Sequence, residues 1–433
     1  MPRLLADTEP LANQHFRRLW FANIVTVIGA QLTVVAVPAQ IYAITGSSGY
    51  VGLAGLFGLV PLVLFGLYGG ALADHLDKRL LLVVSTIGLI TTSGLFFAQA
   101  ATGNTNVWIL LGIFAVQQAF FAVNQPARTA LLPQILDRLE QLPAANSLNM
   151  TVFAGGAIAG PLVAGALIPV VGYAWLYLID TVTLTATLYA VWRLPALLPA
   201  SGPTGSRAPG FAAVVDGFRY LAGDRVVLMS FVVDIIAMVF GMPRALFPAL
   251  AHLSFGGPAT GGLAFALLYA AIPTGSVIGG VFSGWVSRVD RHGRATVLAV
   301  TVWGGSVALF GVVAGVSHGH ATPWLWFAFI AMAVAGAADM ISSAFRQTIL
   351  LSASADAVRG RLQGVFIVVV GGGPRVADVI HGGAADLWGN ATVTTAGGLL
   401  VLVGVLIASA LVPEFWGHRA VRTPETAGSP PEA

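Results

Sequence analysis

Near the C-terminus, Arg375, Asp378 and His381 recur at intervals of three residues within an otherwise apolar stretch. That spacing sets them along one helical face as a polar stripe suited to lining a cavity. Two chemistries fit. Arg375 and Asp378 can pair and stay charged, or Asp378 can accept a proton when desolvated and return it when wetted. Asp180, Asp234 and Asp339 stand in similarly apolar surroundings. Arg346, two turns beyond Asp339, makes that acid a candidate for a gate or a helix contact as well as for proton work. Asp234 has no base within the two preceding turns, whereas Asp180 has Thr181, Thr183 and Thr185 nearby, which favours structural hydrogen bonding. Charge at membrane depth is costly, so Asp234, Asp339, Arg375, Asp378 and His381 are the candidates for proton coupling or cavity lining.

Other chemistries lack their residues. The chain has no cysteine, which removes disulfides, thiolate zinc sites and cysteine nucleophiles. It has no G-x-x-x-x-G-K-[ST] phosphate loop, H-E-x-x-H or G-x-S-x-G sequence. His318 and His320 form an H-G-H without a third ligand nearby, so no metal and no cofactor are expected. A net charge of +3 is too small to indicate a nucleic-acid partner. A catalytic role is not expected, and transport then draws on an ion gradient.

The elements that position these residues follow from composition. Of 433 residues, 57% are hydrophobic and only 9% charged, far below the roughly 25% charge of a soluble domain. The surrounding solvent is therefore lipid. A crossing helix needs about 20 mostly apolar residues. Runs of that kind fall at 17–44, 50–73, 80–101, 107–127, 145–169, 173–193, 226–250, 260–286, 295–316, 323–345, 362–385 and 391–412. The first is too long for a cleaved signal peptide and is expected to remain as a span. The expected fold class is an all-α membrane protein with twelve transmembrane helices.

Basic residues set the orientation. Of the 21 Lys and Arg, only Arg244 and Arg375 fall outside the termini and the even-numbered connections, leaving 21 − 2 = 19 on one side. The opposite connections TGSSGY, ATGNTN and PVVGY carry none. Positive charge is retained in the cytoplasm, so both termini are expected there, in the cytoplasmic (inner) cell membrane.

The chain also reads as duplicated. Pro61 precedes Gly69 and Gly70 as Pro273 precedes Gly279 and Gly280, and Gly160–Pro161 is matched by Gly373–Pro374. Parallel repeats of this kind fit two six-helix bundles about a midplane cavity. The expected organisation is a first bundle over 1–194, a cytoplasmic linker over 195–225, a second bundle over 226–413 and a disordered tail over 414–433. Phe211, Val214, Val215, Phe218 and Leu221 lend the linker an amphipathic helix lying on the membrane surface. Amides in span one (Asn23, Gln31, Gln40) and span four (Gln117, Gln118, Asn124, Gln125) can face a cavity or serve helix packing.

Two motifs carry a resemblance. After the second run stands GGALADHLDKRLL, with Gly70, Asp74, Lys78 and Arg79; it resembles the signature loop of the major facilitator superfamily, though His75 and Asp77 depart from the usual basic residue and glycine. The resemblance implies a cytoplasmic gate in which a carboxylate meets the positive end of a neighbouring helix. In the fifth run, GGAIAGPLVAG places Gly156, Gly160, Pro161 and Gly165 on successive turns and resembles the exporter-type glycine motif of that superfamily. The longer strings AVPAQIYAITGSSGYVGL, GFRYL, RALFPALA, LYAAIPTGSVIG and GRLQG resemble the enterobactin (siderophore) exporter subfamily and related multidrug efflux proteins. The resemblance implies a monomeric secondary exporter that exchanges protons for a siderophore-like small molecule, or a broad multidrug efflux transporter of the same fold.

Overall fold

The computed structural model describes residues 7–195, 219, 223–353 and 356–419, with the side chains of 67–75, 287, 351–353 and 356–368 not described. Gly70, Asp74, most of the 195–225 linker with its amphipathic helix, the strings GFRYL and GRLQG, and the tail beyond 419 therefore lie outside the described residues or side chains.

The described residues form a multi-pass helical membrane protein. Span one is Gln14–Thr45, span two Ser48–His75, span three Lys78–Ala101 and span four Val107–Ile135. Spans five and six run together as Leu142–Trp192 and part at Gly172, whose φ of 75° lies in a region glycine adopts without steric cost. Span seven is Arg225–Gly241 with short turns continuing to Ser254, and span eight is Leu263–Val281. Spans nine to twelve are His292–Val316, Trp324–Ala353, Asp356–Trp388 and Asn390–Leu411. Ten stretches meet length and hydropathy criteria for crossing. Separating spans five and six adds one, and the charged stripe excludes span eleven from such a criterion, so the crossings number twelve. Both described ends thus lie on one face, called the ends face below, opposite the far face.

Short side-chain caps start several helices. Asn13 accepts from the His15 and Phe16 amides, Asp77 from Arg79, Asn106 from Trp108 and Asp224 from Val226 and Val227. These bonds satisfy first-turn N–H groups that have no intrahelical partner. Four residues of the expected tail, 414–417, belong to the helix Pro413–Gly417, and Phe415 is buried.

Two boundaries differ from expectation. Span four continues two turns past 127, through Pro126 and Pro133, because neighbouring helices tolerate such prolines in a membrane bundle. Span seven, expected unbroken to 250, stops at Gly241. Pro243 has no N–H to donate to the preceding turn and forces Met242 out of the helical region, to φ −109° and ψ 88°.

Within the first half, span one packs on the Leu142–Trp192 helix, span two on span four, and span three on spans four to six; in the second, span nine packs on spans ten and twelve, span eight on span ten, and span seven on spans eleven and twelve. The halves meet chiefly along two seams, spans two with eleven and spans five with eight. The internal duplication relates these seams, since span two corresponds to span eight and span five to span eleven.

Candidate functional site

The seams determine where the molecule is shut. Along the first, Gly52 and Gly382 meet backbone to backbone, and Gly55 lies on the Arg375 carbonyl. At its far end the Asp386 carboxylate accepts from the Ser47 hydroxyl at 2.6 Å and the Gly49 amide at 3.2 Å, while Ser48 donates to Asn390 at 2.6 Å. Along the second, the Gly262 amide donates to the Gly165 carbonyl at 3.1 Å, and the Tyr173 hydroxyl donates to the Thr260 carbonyl at 3.3 Å. Both seams are in the far half, so the far side is closed.

Towards the ends face the bundles enclose a cavity of about 710 Å³, within the range of pockets that hold a drug-sized molecule. Asn23 and Gln31 of span one, Asn124 and Gln125 of span four, and Asn146 and Asn149 of span five give it an amide wall. Phe121, Phe153 and Trp20 add aromatic surface. Two guanidinium groups also line it, Arg128 from the extended end of span four and Arg244 from the break in span seven. No Asp or Glu does. Among the described residues neither arginine has a carboxylate within salt-bridge distance. Arg244 instead stands 5.7 Å from the centre of the Tyr269 ring, a cation–π contact that fixes the side chain at the closed end of the cavity.

The stripe of span eleven does something other than line this cavity. Arg375, Asp378 and His381 are absent from its wall and are packed in the seam instead. Arg375 lies over the Phe114 ring at 5.7 Å and does not close on Asp378 to salt-bridge distance. Asp378 faces the Ala245 backbone N–H, and the buried His381 ring meets the Phe240 backbone carbonyl. Both backbone groups belong to the break in span seven, where the helix no longer supplies their partners. An unpaired backbone group in a membrane interior is expensive, and the stripe lies beside both of these. Broken helices serve in this way to bring fixed charge and free backbone dipoles to a binding site.

Asp234 and Asp339 converge on one base. The Arg346 Nη1 donates to the Asp234 carboxylate, and its Nη2 lies 3.7 Å from Asp339. Asp180, as its threonine-rich surroundings suggested, is held by hydroxyls: Thr33 donates at 2.7 Å and Ser93 at 2.6 Å.

The two motifs divide similarly. Lys78 is buried, Arg79 donates to the Trp192 carbonyl at 2.7 Å, and Gly70 and Asp74 lie outside the described side chains. Gly156 and Gly160 admit Val27 and Gln31 of span one, Pro161 lines the cavity, and Gly165 admits span eight. Of the candidate amides, Asn23, Gln31, Asn124 and Gln125 reach the cavity. Gln40 pairs with Gln99 and Tyr177, and Gln117 donates to Ser93, inside the first bundle. Sequence reasoning missed Arg128, Asn146, Asn149 and Tyr269 as cavity residues. Arg128 falls just past the run 107–127, Asn146 and Asn149 stand in the first turns of the run 145–169, and Tyr269 carries no pattern that separates it from lipid-facing aromatics.

Comparison with known proteins agrees with this geometry. The profile of the transmembrane secretion effector family matches residues 6–423. The enterobactin exporters EntS of Shigella boydii serotype 18 and Escherichia coli O81 are each 28% identical over 407 residues, covering 92% of both chains. Among solved structures, the nucleoside transporter NupG superposes with a TM-score of 0.70 at 13% identity, over 92% of this chain and 99% of its own. A POT family transporter in complex with 5-aminolevulinic acid reaches 0.74 at 12% identity, over 92% and 96%. These likenesses establish the fold, and the profile covers nearly the whole length: the chain belongs to the transmembrane secretion effector family, within the major facilitator superfamily.

Proposed function

We propose that this protein exports an anionic, aromatic small molecule of the siderophore type from the cytoplasm, driven by inward proton flow through alternating access. The observation that carries the reading is the cavity wall, which among the described residues holds Arg128 and Arg244 outside salt-bridge distance of any acid and contains no carboxylate. An anion entering it gains charge-assisted hydrogen bonds and leaves no buried charge unpaired. The amide side chains can pair with hydroxyl and carbonyl groups, and the aromatic side chains can stack on a planar ring. The relatives named as enterobactin exporters support the same class of cargo.

The basic-residue count supports an inner-membrane orientation with both ends cytoplasmic, in which the cavity faces the compartment where the cargo is made. Release then requires both far seams to part while the ends face shuts. Glycine-on-backbone contacts along the seams make such rocking a separation of flat surfaces rather than an unthreading of side chains. The protein works as a monomer in this reading, since one chain encloses the whole cavity. Two guanidinium groups and no carboxylate among the described lining residues favour an anion over a cationic dye.

Comparing the culture medium of cells with and without the chain under iron limitation tests this. The expected result is one aromatic iron-chelating compound that disappears from the medium and accumulates inside. Unchanged medium together with sensitivity to several unrelated dyes would favour the multidrug reading.

A further inference from the structure

The structure assigns the coupling proton to Asp339, held in a three-residue charge cluster with Arg346 and Asp234, an assignment that rests on the proposed proton antiport. The basis is a charge count at membrane depth. Asp234 and Arg346 keep only 4% and 7% of their side-chain surface exposed and are directly paired, so their charges cancel. Asp339 stands further off, at 3.7 Å, and keeps 29% of its surface accessible. Two carboxylates on one guanidinium carry net charge −1, and the cluster becomes neutral on taking up one proton. Sealing an uncompensated charge from water costs several kcal/mol. The protonated cluster can therefore be enclosed while the empty transporter swings back, whereas the net charge of the deprotonated cluster opposes enclosure. Asp339 takes the proton because Asp234 already has the short contact to Arg346.

The groups around Asp339 are consistent with this. Among the described residues Arg346 and Asp234 are the charges that act on it. Span eight contributes no ionisable group except Tyr269. Span nine presents His292, whose ring lies 5.3 Å from that of Phe345, beside Arg346. A void of about 10 Å³ between Ser230, Phe231, Asp234, Arg346 and Leu350 has the volume of about one water and offers a stepping point beside the cluster. The other acids fail the same count. Asp378 has both Arg375 and Arg244 near it, an excess of positive charge that needs no proton. Asp180 is 2% exposed and fixed by hydroxyls of its own bundle, with no route for exchange.

In the step itself, water on the acidic side gives a proton to a carboxylate oxygen of Asp339, and after reorientation the carboxylic acid returns it to water on the cytoplasmic side. The test uses the full chain in inside-out vesicles with an acid interior and a radiolabelled tris-catecholate siderophore as probe. Asp339→Asn is expected to abolish accumulation driven by the gradient while sparing exchange of the probe without a gradient, and Asp339→Glu to restore accumulation. Asp234→Asn is expected to uncouple as well, because the remaining Asp339–Arg346 pair is neutral without a proton. Asp339→Asn vesicles that still concentrate the probe would overturn the assignment. So would loss of exchange in Asp339→Asn that Asp339→Glu does not repair, since that marks a structural role. If vesicles with the unaltered chain concentrate nothing, the antiport reading itself fails.

Discussion

The two halves pack their helices in a similar order, yet they treat charge in opposite ways. In the first half the buried acid Asp180 is held by the hydroxyls of Thr33 and Ser93, and the cavity wall is built of amides. In the second, Asp234 and Asp339 share Arg346, and Asp378 and His381 lie beside the break in span seven. The difference teaches a division of labour. One bundle offers cargo an amide surface with a single guanidinium, Arg128; the other holds the charges whose balance can change, and sends Arg244 across to the cargo.

The sharpest way to break the comparison is to remove the central base. Arg346→Met leaves two acids without their partner and should cost about 3–5 kcal/mol, read as lowered thermal stability in detergent. The matched change in the first half, Asp180→Asn, gives up charge-assisted bonds from two hydroxyls and should cost about 1–3 kcal/mol. Equal losses would mean that the halves do not differ as described.

Cargo contact comes next. Arg244→Ala should weaken binding of an organic anion by about 1.5–3 kcal/mol, roughly tenfold to a hundredfold, in titration calorimetry. Arg294→Ala should leave affinity unchanged, because that guanidinium stacks on Trp416 away from the cavity.

The seams can be loaded separately. Gly52→Val overfills the seam of spans two and eleven, and Gly165→Val that of spans five and eight; each should disfavour the far-closed form by about 1–3 kcal/mol. The chain has no native cysteine, so a single cysteine at Asn149 reports cavity access by maleimide labelling, which should fall in both variants. The smallest expected effect is at the far rim. Asp386→Asn removes a carboxylate from the start of span two and should favour opening by only about 0.3–1 kcal/mol, visible as a slight fall in the same labelling.

Much of the architecture was legible because lipid imposes a simple rule: apolar runs of a fixed length, broken by charge. The boundary between spans five and six needed only Pro169 and Gly172. The break in span seven was less visible, since Pro243 can either end a membrane helix or kink it, as Pro126 and Pro133 show by doing neither in span four. The acids were legible as residues but not as partners. Arg346 lies 112 positions from Asp234, and no local spacing brings them together. Arg128 was read as loop charge because span four was ended too early, and with it went the clearest sign that the cavity is built for an anion.

Equilibrium binding to the purified chain tests that last claim most directly, with a tris-catecholate and an aromatic cation of similar size titrated in parallel. The account predicts heat of binding for the anion alone, lost when Arg128 and Arg244 are both replaced by alanine. Equal binding of the cation, or anion binding that survives the loss of both arginines, would contradict it.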